Sequence, residues 1–543
     1  MSSPTVPMNC KPSTSRDERI GGTGVNAADI VLARAREVPE RIGFWFEDGR
    51  SMTYEELDAR SEWLAERLAE LGMKTGDWLG VYLENTPDVF LVLLASFRAG
   101  IVYVPANVMV QSAELRHILS DSGSVALLAD PRRADVVREA TEDLELRFVA
   151  TFDPDPPAGW TSLGEPDGVA EGRPALDLAE EHPAFVIYTS GTTGAMKGVV
   201  QTHGSVLSWV TSQGERQRGR PGPYPPMPDT APPNIDAFPL SHGTGVLSAL
   251  YAYWVGRPLV MMRKFEAELY LRLAEHHRVD NLFGAPTMFQ MLATSEVVDD
   301  YDLSSVKIAM CGGAPLAPAV AEIFERRLRV PLIQTYGQSE TGPIATWSAR
   351  DIREGIRKPG SVGKLVPGVE LRVENEQGEA LPPGEQGELV ARSPNVMKGY
   401  IGGAEIAGST VTADGWVHTG DIGYVDEDGW IYITGRKREL IIVGGFNVYP
   451  AELENVLLMH PGVREAAVVG VPEQRLGEIP LAYVVATSGV SEKDLIEWTR
   501  AKLAHYKAVR RVEFVDELPR GATEKVLIHQ LQQAGRGGPS VGT

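Results

Sequence analysis

Tyr188-Thr-Ser-Gly-Thr-Thr-Gly-Ala-Met-Lys-Gly198 is the stretch of the chain that says most about its architecture. The apolar run Phe185–Tyr188 predicts a β-strand that leads into it. Glycines let backbone N–H groups crowd around phosphate oxygens, hydroxyls add further donors, and a lysine adds positive charge. A plain turn would leave this concentration of hydroxyls and the lysine unexplained. The segment therefore predicts a phosphate-binding loop formed by Thr189, Ser190, Gly191, Thr192, Thr193, Gly194 and Lys197.

The chain before this loop alternates short apolar runs with amphipathic segments, which is typical of layered α/β structure. Thr53 and Glu56 have the spacing of a capping box at the start of a helix. The strand Trp78–Leu83, an apolar helix that opens at Pro87, and the strand Ile101–Val104 then predict a βαβ unit.

A second βαβ unit follows the loop. Its strand Val306–Cys311 ends in Gly312-Gly313-Ala314-Pro315, and a helix then leads to the strand Leu332–Gln334. In open α/β sheets ligands lie outside the carboxyl ends of strands, so the turns after these strands are candidate binding sites. From about Ser361 short alternating strands predict a β-rich region, and a compact α+β pattern follows Gly435-Arg436.

Composition limits the function classes. The chain has 543 residues and a net charge of −21, which opposes binding to nucleic acid phosphates. Its two cysteines exclude a disulfide framework and favour a cytoplasmic protein, with Cys311 as a small core residue. The sequence predicts no secretory signal and no membrane span.

Gln334-Thr-Tyr-Gly-Gln-Ser-Glu-Thr-Gly342 is the second segment that indicates chemistry. Tyr336 can stack on a base, and Glu340 can hold Mg²⁺, a hard cation that prefers carboxylate oxygens. Gly337-Gln338-Ser339-Glu340 is close to the Gly-x-Ser-x-Gly elbow of serine hydrolases, but Thr341 stands where that elbow has glycine. A nucleotide site is therefore favoured over a hydrolase.

Two further segments are weak when taken singly. In Gly415-Trp-Val-His-Thr-Gly-Asp421, the carboxylate can accept both hydroxyls of a ribose, and Arg436 can reinforce the same site. Lys525, in Pro519-Arg-Gly-Ala-Thr-Glu-Lys525, would by itself be taken for a surface lysine.

In this order and spacing the four segments resemble the adenylate-forming superfamily, which includes acyl-CoA synthetases, luciferases and adenylation domains of nonribosomal peptide synthetases. The resemblance spans residues 40 to 530 and points to the acyl-CoA ligase branch. It implies a large N-terminal domain of α/β subdomains plus a β-rich subdomain, and a small mobile α+β C-terminal domain. The expected divisions are a disordered terminus at 1–25, the large domain at 26–434, a hinge at 435–438, the small domain at 439–533 and a disordered tail at 534–543.

The resemblance also implies roles for individual residues. Lys525, His242 and Glu340 are the expected catalytic residues, with Glu340 as the Mg²⁺ ligand. For the nucleotide site, the resemblance implies an adenine-side turn at Gly313, Ala314 and Pro315 and a hydroxyl near the α-phosphate at Ser339. Together with Gly337 these join the nucleotide-binding residues named above. The acyl pocket is expected at His242, Gly243, Val246, Phe283, Gly312 and Gln338, CoA contacts at Gly444, Gly445 and Phe446, and the hinge at Lys437 and Arg438.

The implied function is an acyl-CoA ligase that uses ATP, Mg²⁺ and CoA. No acidic residue is placed to hold an amino group, so a bulky apolar acid, aryl, alicyclic or polycyclic, is expected rather than an amino acid. Glu524 stands where the family often has glycine, which motivates an alternative: an enzyme that takes a preformed acyl-adenylate to CoA only. Transfer to a carrier protein, a homodimer, and a non-catalytic nucleotide-binding protein stay open as further alternatives.

Overall fold

The computed structural model of the chain describes residues 25–165, 174–190, 196–218, 230–356, 358–402, 411–412, 414–487, 489–520 and 526–537. The expected disorder of residues 1–24 and 538–543 lies outside them. Val25 forms an isolated bridge to Leu178, and the final helix continues to Gly535, inside the range expected as a tail.

An eight-stranded mixed sheet forms the centre of the large domain. Its strands, in spatial order, are Gly399–Tyr400, Met196–Thr202, Pro183–Ser190, Val102–Pro105, Trp78–Tyr82, Ala126–Ala129, Val149–Thr151 and Thr161–Ser162. The first predicted βαβ unit is confirmed, because the strands Trp78–Tyr82 and Val102–Pro105 pair in parallel and the helix Pro87–Arg98 connects them in the chain. The predicted capping box is also confirmed: Thr53 accepts from the backbone of Glu56, and the Glu56 carboxylate accepts from the backbone of Thr53.

Two smaller sheets lie beside the central one. The first orders its strands as Asn234–Asp236, Leu259–Met261, Ile42–Phe46 and Ser51–Thr53. The second is parallel and orders them as Asn281–Gly284, Ile308–Cys311 and Leu332–Gln334, which confirms the second predicted βαβ unit. Cys311 is a buried core residue, as expected.

The β-rich region consists of two antiparallel sheets. One contains Tyr336–Gln338, Gly342–Thr346 and Lys364–Leu365, and the other contains Glu370–Glu374, Gly387–Arg392, Val417–Val425 and Ile431–Arg436. These sheets carry two of the predicted nucleotide-binding segments.

The small domain is built on one sheet with its own core. The sheet orders its strands as Phe446–Val448, Ile441–Val443, Gly477–Ala486 and Val463–Glu473, and Arg511–Phe514 pairs with Gly477–Ala486. The side-chain amide oxygen of Asn455 accepts from the backbone N–H of Ala319 at 3.1 Å, which joins this domain to the helix after the Gly312–Pro315 turn. The predicted α/β class with a small C-terminal domain is confirmed.

Helices cover the sheets on both domains. They span Asp29–Glu37, Tyr54–Glu70, Pro87–Arg98, Ser112–Ser122, Ala134–Thr141, His203–Arg218, Gly243–Trp254, Ala267–His276, Pro286–Thr294, Pro318–Leu328, Ala349–Arg353, Pro450–Leu458, Glu492–Lys502 and Ile528–Gly535. Within the described ranges, none of the helices has the length and hydropathy needed to cross a bilayer.

Candidate active site

The two strands on either side of the predicted phosphate loop form an antiparallel pair. Pro183–Ser190 and Met196–Thr202 pair antiparallel, with Thr189 opposite Lys197 and Ser190 opposite Met196. The expected phosphate contacts Gly191, Thr192, Thr193 and Gly194 lie outside the described residues. Thr189 and Lys197 therefore lie opposite each other near the ends of the two strands that flank this segment.

Lys197 and Glu340 approach each other through a residue that the sequence patterns did not single out. The ammonium of Lys197 lies 5.4 Å from the centre of the Tyr400 ring, a cation–π distance. The Tyr400 hydroxyl donates to Oε1 of Glu340 at 3.0 Å. Tyr400 reaches this position because the short strand Gly399–Tyr400 pairs with Val199 and Val200, about two hundred residues earlier in the chain.

Asp421 and Arg436 face each other across the sheet, as expected for one shared site. They are direct partners on adjacent antiparallel strands, and the Arg436 Nε lies 2.9 Å from Oδ1 of Asp421. Oδ2 accepts from the Tyr336 hydroxyl at 2.8 Å and from the Gln338 side-chain amide at 2.6 Å. Asp421 is only 3% exposed. Because a carboxylate oxygen accepts about two hydrogen bonds, Tyr336 and Gln338 fill Oδ2, whereas Oδ1, which contacts Arg436, can accept one further donor such as a ribose hydroxyl.

Tyr336 lies in the buried cluster of the β-rich region. Burial and the Asp421 carboxylate hold the pKa of Tyr336 well above its usual value, so its hydroxyl remains a donor at neutral pH. The expected stacking of Tyr336 on a base stays a prediction, since the structure shows the tyrosine as a partner of Asp421.

The turn after Ile308–Cys311 comes close to the start of the helix Gly243–Trp254. Gly312 is buried, whereas Gly313 and Pro315 are exposed, and Gly313 has φ +83°, a conformation that favours glycine. A Cβ on Gly313 would lie 3.8 Å from the hydroxyl of Thr244. The carbonyl of Ala314 accepts from the side chain of Gln334 at 3.3 Å.

His242 caps the helix Gly243–Trp254. Its Nδ1 accepts from the backbone N–H of Thr244 at 3.2 Å, so in the neutral ring the proton is on Nε2. This contact fixes the orientation of the imidazole at the first turn of the helix.

A small cavity lies between this helix, the phosphate-loop hairpin and the Tyr336–Gly342 segment. It is lined by Phe185, Ile187, Val199, Gln201, Ser205, Trp209, Gly243, Leu247, Gln338, Ser339 and Gly342. Two residues of the expected acyl pocket, Gly243 and Gln338, line it.

The other expected pocket residues occupy different places. Val246 is fully buried in the core, and Leu247 is the residue of that helix turn that lines the cavity. The ring of Phe283 packs on Phe238 at 5.3 Å between centroids, beside Gly312. His242, Phe283 and Gly312 do not line the cavity.

One wall of the cavity is polar and was missed by the sequence patterns. The Gln201 side-chain amide donates to the carbonyl of Ser339 at 2.6 Å, and the Ser205 hydroxyl donates to the Gln201 oxygen at 2.7 Å. Side chains alternate between the two faces of a strand, so Lys197, Val199 and Gln201 lie on one face. Counting in steps of two from Lys197 could therefore have predicted that Gln201 faces the site. Gly337, on the same segment, has no room for a side chain, because a Cβ would lie 2.5 Å from the carbonyl oxygen of Gly342.

Comparison with known proteins gives the family. The profile described as "AMP-binding enzyme" matches residues 31–401, and the profile "AMP-binding enzyme C-terminal domain" matches residues 452–525. The chain belongs to the AMP-binding enzyme family. This confirms the resemblance inferred from the four segments.

Relatives in this family have printed activities of their own. A feruloyl-CoA synthase of an Amycolatopsis species is 34% identical over 496 residues, which cover 89% of this chain and 94% of the relative. Among solved structures, the amide bond synthetase McbA from Marinactinospora thermotolerans is 28% identical with a TM-score of 0.81, covering 94% of this chain and 99% of the other. The o-succinylbenzoate CoA synthetase from Bacillus subtilis, solved with its acyl-adenylate intermediate, is 30% identical with a TM-score of 0.79, covering 93% and 97%. The predicted enzyme class, an AMP-forming acid–thiol ligase, is confirmed.

The junction between the two domains of this AMP-binding enzyme is a short 3₁₀ helix, Lys437–Glu439. Lys437 forms an ion pair with Glu388 of the large domain at 2.9 Å. Arg438 is about half exposed and lies 3.8 Å from Glu439. A Cβ on Gly435 would lie 2.6 Å from the Tyr449 ring, so the small domain packs closely on the start of the junction.

The expected CoA contacts form an exposed turn of the small domain. Gly444 and Gly445 have φ of +59° and +88° and connect Ile441–Val443 to Phe446–Val448. Phe446 is 57% exposed and stacks on Tyr506 with 4.6 Å between ring centroids. Lys525 and Glu524 lie outside the described residues, and the flanking Arg520 and Val526 form a bridge.

Proposed function

We propose that this AMP-binding enzyme is an acyl-CoA ligase that activates an aromatic carboxylic acid as its acyl-adenylate and passes the acyl group to CoA. The observation that carries the proposal is the position of Gln338. It lines the apolar cavity, and its amide donates to Asp421, the expected ribose ligand. An acid in the cavity and a nucleotide on Asp421 would therefore meet at Gln338 and Ser339.

The cavity supports an aromatic acid. Its apolar walls come from Phe185, Ile187, Val199, Trp209 and Leu247, and none of the described lining residues is acidic. Apolar walls that include two aromatic side chains, Phe185 and Trp209, favour an aromatic ring over an aliphatic chain. The feruloyl-CoA synthase relative supports the same substrate class.

The residues also fit a nucleotide and a magnesium ion. One oxygen of Glu340 accepts from Tyr400, and the described residues contain no group of three or more His, Cys, Asp and Glu side chains that could hold a metal ion. A single carboxylate suits Mg²⁺, which keeps several waters and takes its other ligands from phosphates. When bound, the ion offsets the charge of the phosphates during attack.

In the first step a carboxylate oxygen of the acid forms a bond to the α-phosphorus of ATP, and pyrophosphate leaves. Both reactants are anionic, so we assign Lys197 and Lys525 to the electrostatic stabilisation of the phosphates. We assign Asp421 and Arg436 to the ribose. His242, oriented by the Thr244 N–H, directly precedes the cavity-lining Gly243, so we assign it to the edge of the acyl site.

In the second step the thiol of CoA attacks the acyl carbon and AMP leaves. Phe446 and the Gly444-Gly445 turn offer an open surface for the pantetheine arm, because no atom lies within 4 Å of a Cβ on Gly445. Lys525 would have to leave before CoA enters, so we propose rotation of the small domain about Lys437 and Arg438. The cytoplasmic location, a carrier-protein acceptor and a homodimer stay predictions.

The first experiment has two arms. One arm contains ATP, Mg²⁺, CoA and a panel of hydroxycinnamic, benzoic, polycyclic and aliphatic acids, and the other contains synthetic acyl-adenylates and CoA without ATP. We expect acyl-CoA and AMP in both arms, with the aromatic acids giving the highest kcat/KM. Product only from the adenylates would establish the half-reaction alternative, with Glu524→Gly as the variant to restore the first step.

Neighbouring residues of one helix supply a test of the cavity. Leu247→Ala enlarges the cavity and should shift the preference toward larger acids, whereas Val246→Ala should lower stability without changing that preference. Equal changes in preference for both variants would contradict the assignment of the cavity. A further arm with an amine as acceptor separates this activity from that of the amide bond synthetase.

A further inference from the structure

Asp236 is a buried carboxyl group close to the acyl site that none of the steps above uses. It is the last residue of the strand Asn234–Asp236 and is only 2% exposed. Its Oδ1 accepts from the backbone N–H of Phe238 at 3.0 Å, and its Oδ2 lies 2.6 Å from the hydroxyl of Ser248. The described residues include no ion-pair partner for this carboxyl.

The hydrogen-bond geometry around Ser248 accommodates a proton on Asp236. The Ser248 hydroxyl lies within reach of Oδ2 of Asp236 and of the carbonyl oxygen of Gly245, at 3.1 Å, but it has only one proton to give. If Oδ2 of Asp236 is protonated, it donates to Ser248, and Ser248 donates to Gly245. Both contacts are then hydrogen bonds. Burial raises the pKa of Asp236 to about 7, against the lowering effect of its hydrogen bonds with Ser248 and the Phe238 N–H.

Asp236 holds both sides of the segment that presents His242. Phe238 begins the loop that leads to His242, and Ser248 lies in the second turn of the helix that follows it. The same loop is held by Asn85, whose side-chain oxygen accepts from the backbone of Leu240 at 3.1 Å. A change of charge on Asp236 would therefore act on the loop and on the helix start together.

We propose that Asp236 is a positioning residue that works as a neutral carboxylic acid. It joins residues 237–242, the His242 loop, to the helix Gly243–Trp254, the acyl-site helix. Adenylate formation should therefore weaken when Asp236 ionises. The inference rests on the proposed function and deepens it. Ionisation would place a charge among apolar neighbours such as Ile235, Phe238 and Val260. An unpaired buried charge draws in water or breaks its local packing, and either response moves the loop.

Among the titratable side chains that face one another at this position, Asp236 is the one that changes charge near neutral pH. The strand that carries Asp236 contacts the strands Leu259–Met261 and Asn281–Gly284 and the helices Gly243–Trp254 and Ala267–His276. From these elements the titratable group that faces Asp236 is Tyr270. Burial raises the pKa of Tyr270 above its usual value, and its hydroxyl is bonded to the backbone of Phe283, so it stays neutral.

The decisive variant is Asp236→Asn. The amide copies the protonated acid, since its N–H₂ can donate to Ser248 and its oxygen can accept from Phe238, but it cannot ionise. We measure kcat/KM for pyrophosphate release between about pH 5 and about pH 9 for the wild type, Asp236→Asn and Asp236→Leu. The ratio of Asp236→Asn to wild type should rise by up to about tenfold for each pH unit above the titration of Asp236. Asp236→Leu, which makes neither hydrogen bond, should have a lower kcat at every pH.

An Asp236→Asn variant that keeps the wild-type alkaline decline, or that is as impaired as Asp236→Leu, would overturn the proposal. A second measurement does not depend on activity: the infrared C=O stretch of a protonated carboxyl should be present in the wild type at about pH 6 and absent from Asp236→Asn. If no acid is activated by the wild type, the proposed function fails. If the carboxyl band is absent from the wild type, the Asp236 inference is wrong even if the proposed function is correct.

Discussion

Two glycines at the start of the acyl-site helix should respond in opposite ways to the same substitution. A Cβ on Gly245 would lie 2.3 Å from the carbonyl oxygen of Pro239 and 3.0 Å from that of Phe238, both backbone atoms of the His242 loop. A Cβ on Gly243 would lie 3.6 Å from a side-chain carbon of Ile187, an ordinary contact. Gly245→Ala and Gly243→Ala therefore form a matched pair.

The size of the effect follows from the overlap. To reach a usual C···O contact of about 3.3 Å, the loop or the helix must move by about 1 Å in Gly245→Ala. Such overpacking costs about 1–3 kcal/mol, and the better helix propensity of alanine returns at most about 1 kcal/mol. We expect a net loss of about 1–2 kcal/mol, together with a fall in kcat of up to about a hundredfold, because a shift of about 1 Å next to reacting groups has that effect.

Gly243→Ala should keep the stability of the wild type or gain up to about 1 kcal/mol. Since Gly243 lines the cavity, its extra methyl should raise KM for the bulkiest acids. Urea unfolding followed by tryptophan fluorescence measures the stability, and pyrophosphate release measures the activity. A Gly245→Ala enzyme with wild-type stability and kcat would refute the assignment of this contact.

Three further predictions test charge, metal and domain motion. Burial raises the pKa of Asp236 from its ordinary 3.8 to about 7, so the contribution of the neutral carboxyl to stability is complete below about pH 4 and is lost as the pH rises through about 7. The free energy of unfolding of Asp236→Asn minus that of wild type should therefore increase by up to about 4 kcal/mol across this range. A difference that does not depend on pH would contradict this prediction. Glu340→Gln should raise the Mg²⁺ concentration needed for half-maximal adenylate formation by at least about tenfold. Tyr400→Phe, which removes the hydroxyl that donates to Glu340 but keeps the carboxylate, should raise it less, and equal effects would argue against Glu340 as the ligand. Arg438→Pro should slow thioester formation by at least about tenfold while sparing pyrophosphate release, and equal loss of both steps would exclude rotation about this residue.

Local signals in the sequence predicted local structure correctly. The capping box at Thr53 and Glu56 forms, and the βαβ unit around Pro87–Arg98 has the expected parallel strands. Both depend on interactions between residues close in sequence, or on a connection rule that holds for nearly all such units. The sequence also anticipated that Asp421 and Arg436 share one site, and the structure places them opposite each other on two strands joined by a short turn.

Contacts between distant segments were not predictable in the same way. Tyr400 reaches Glu340 through an edge strand that pairs with Val199 and Val200, and no local pattern selects that partner. Val246 and Leu247 differ by about 100° around one helix, so the packing of the whole helix decides which of them lines the cavity.

The sequence by itself determined the family of this protein, the order of its binding segments and the type of most of its strands and helices, because these depend on spacing, hydrogen-bonding groups and hydrophobic period. Only the tertiary structure decided which side chains meet. It joined Gln338 to Asp421 and buried Asp236 beneath the His242 loop. The physical reason is that burial and the loss of water determine the charge and partners of a polar group, and burial is a property of the packed chain as a whole.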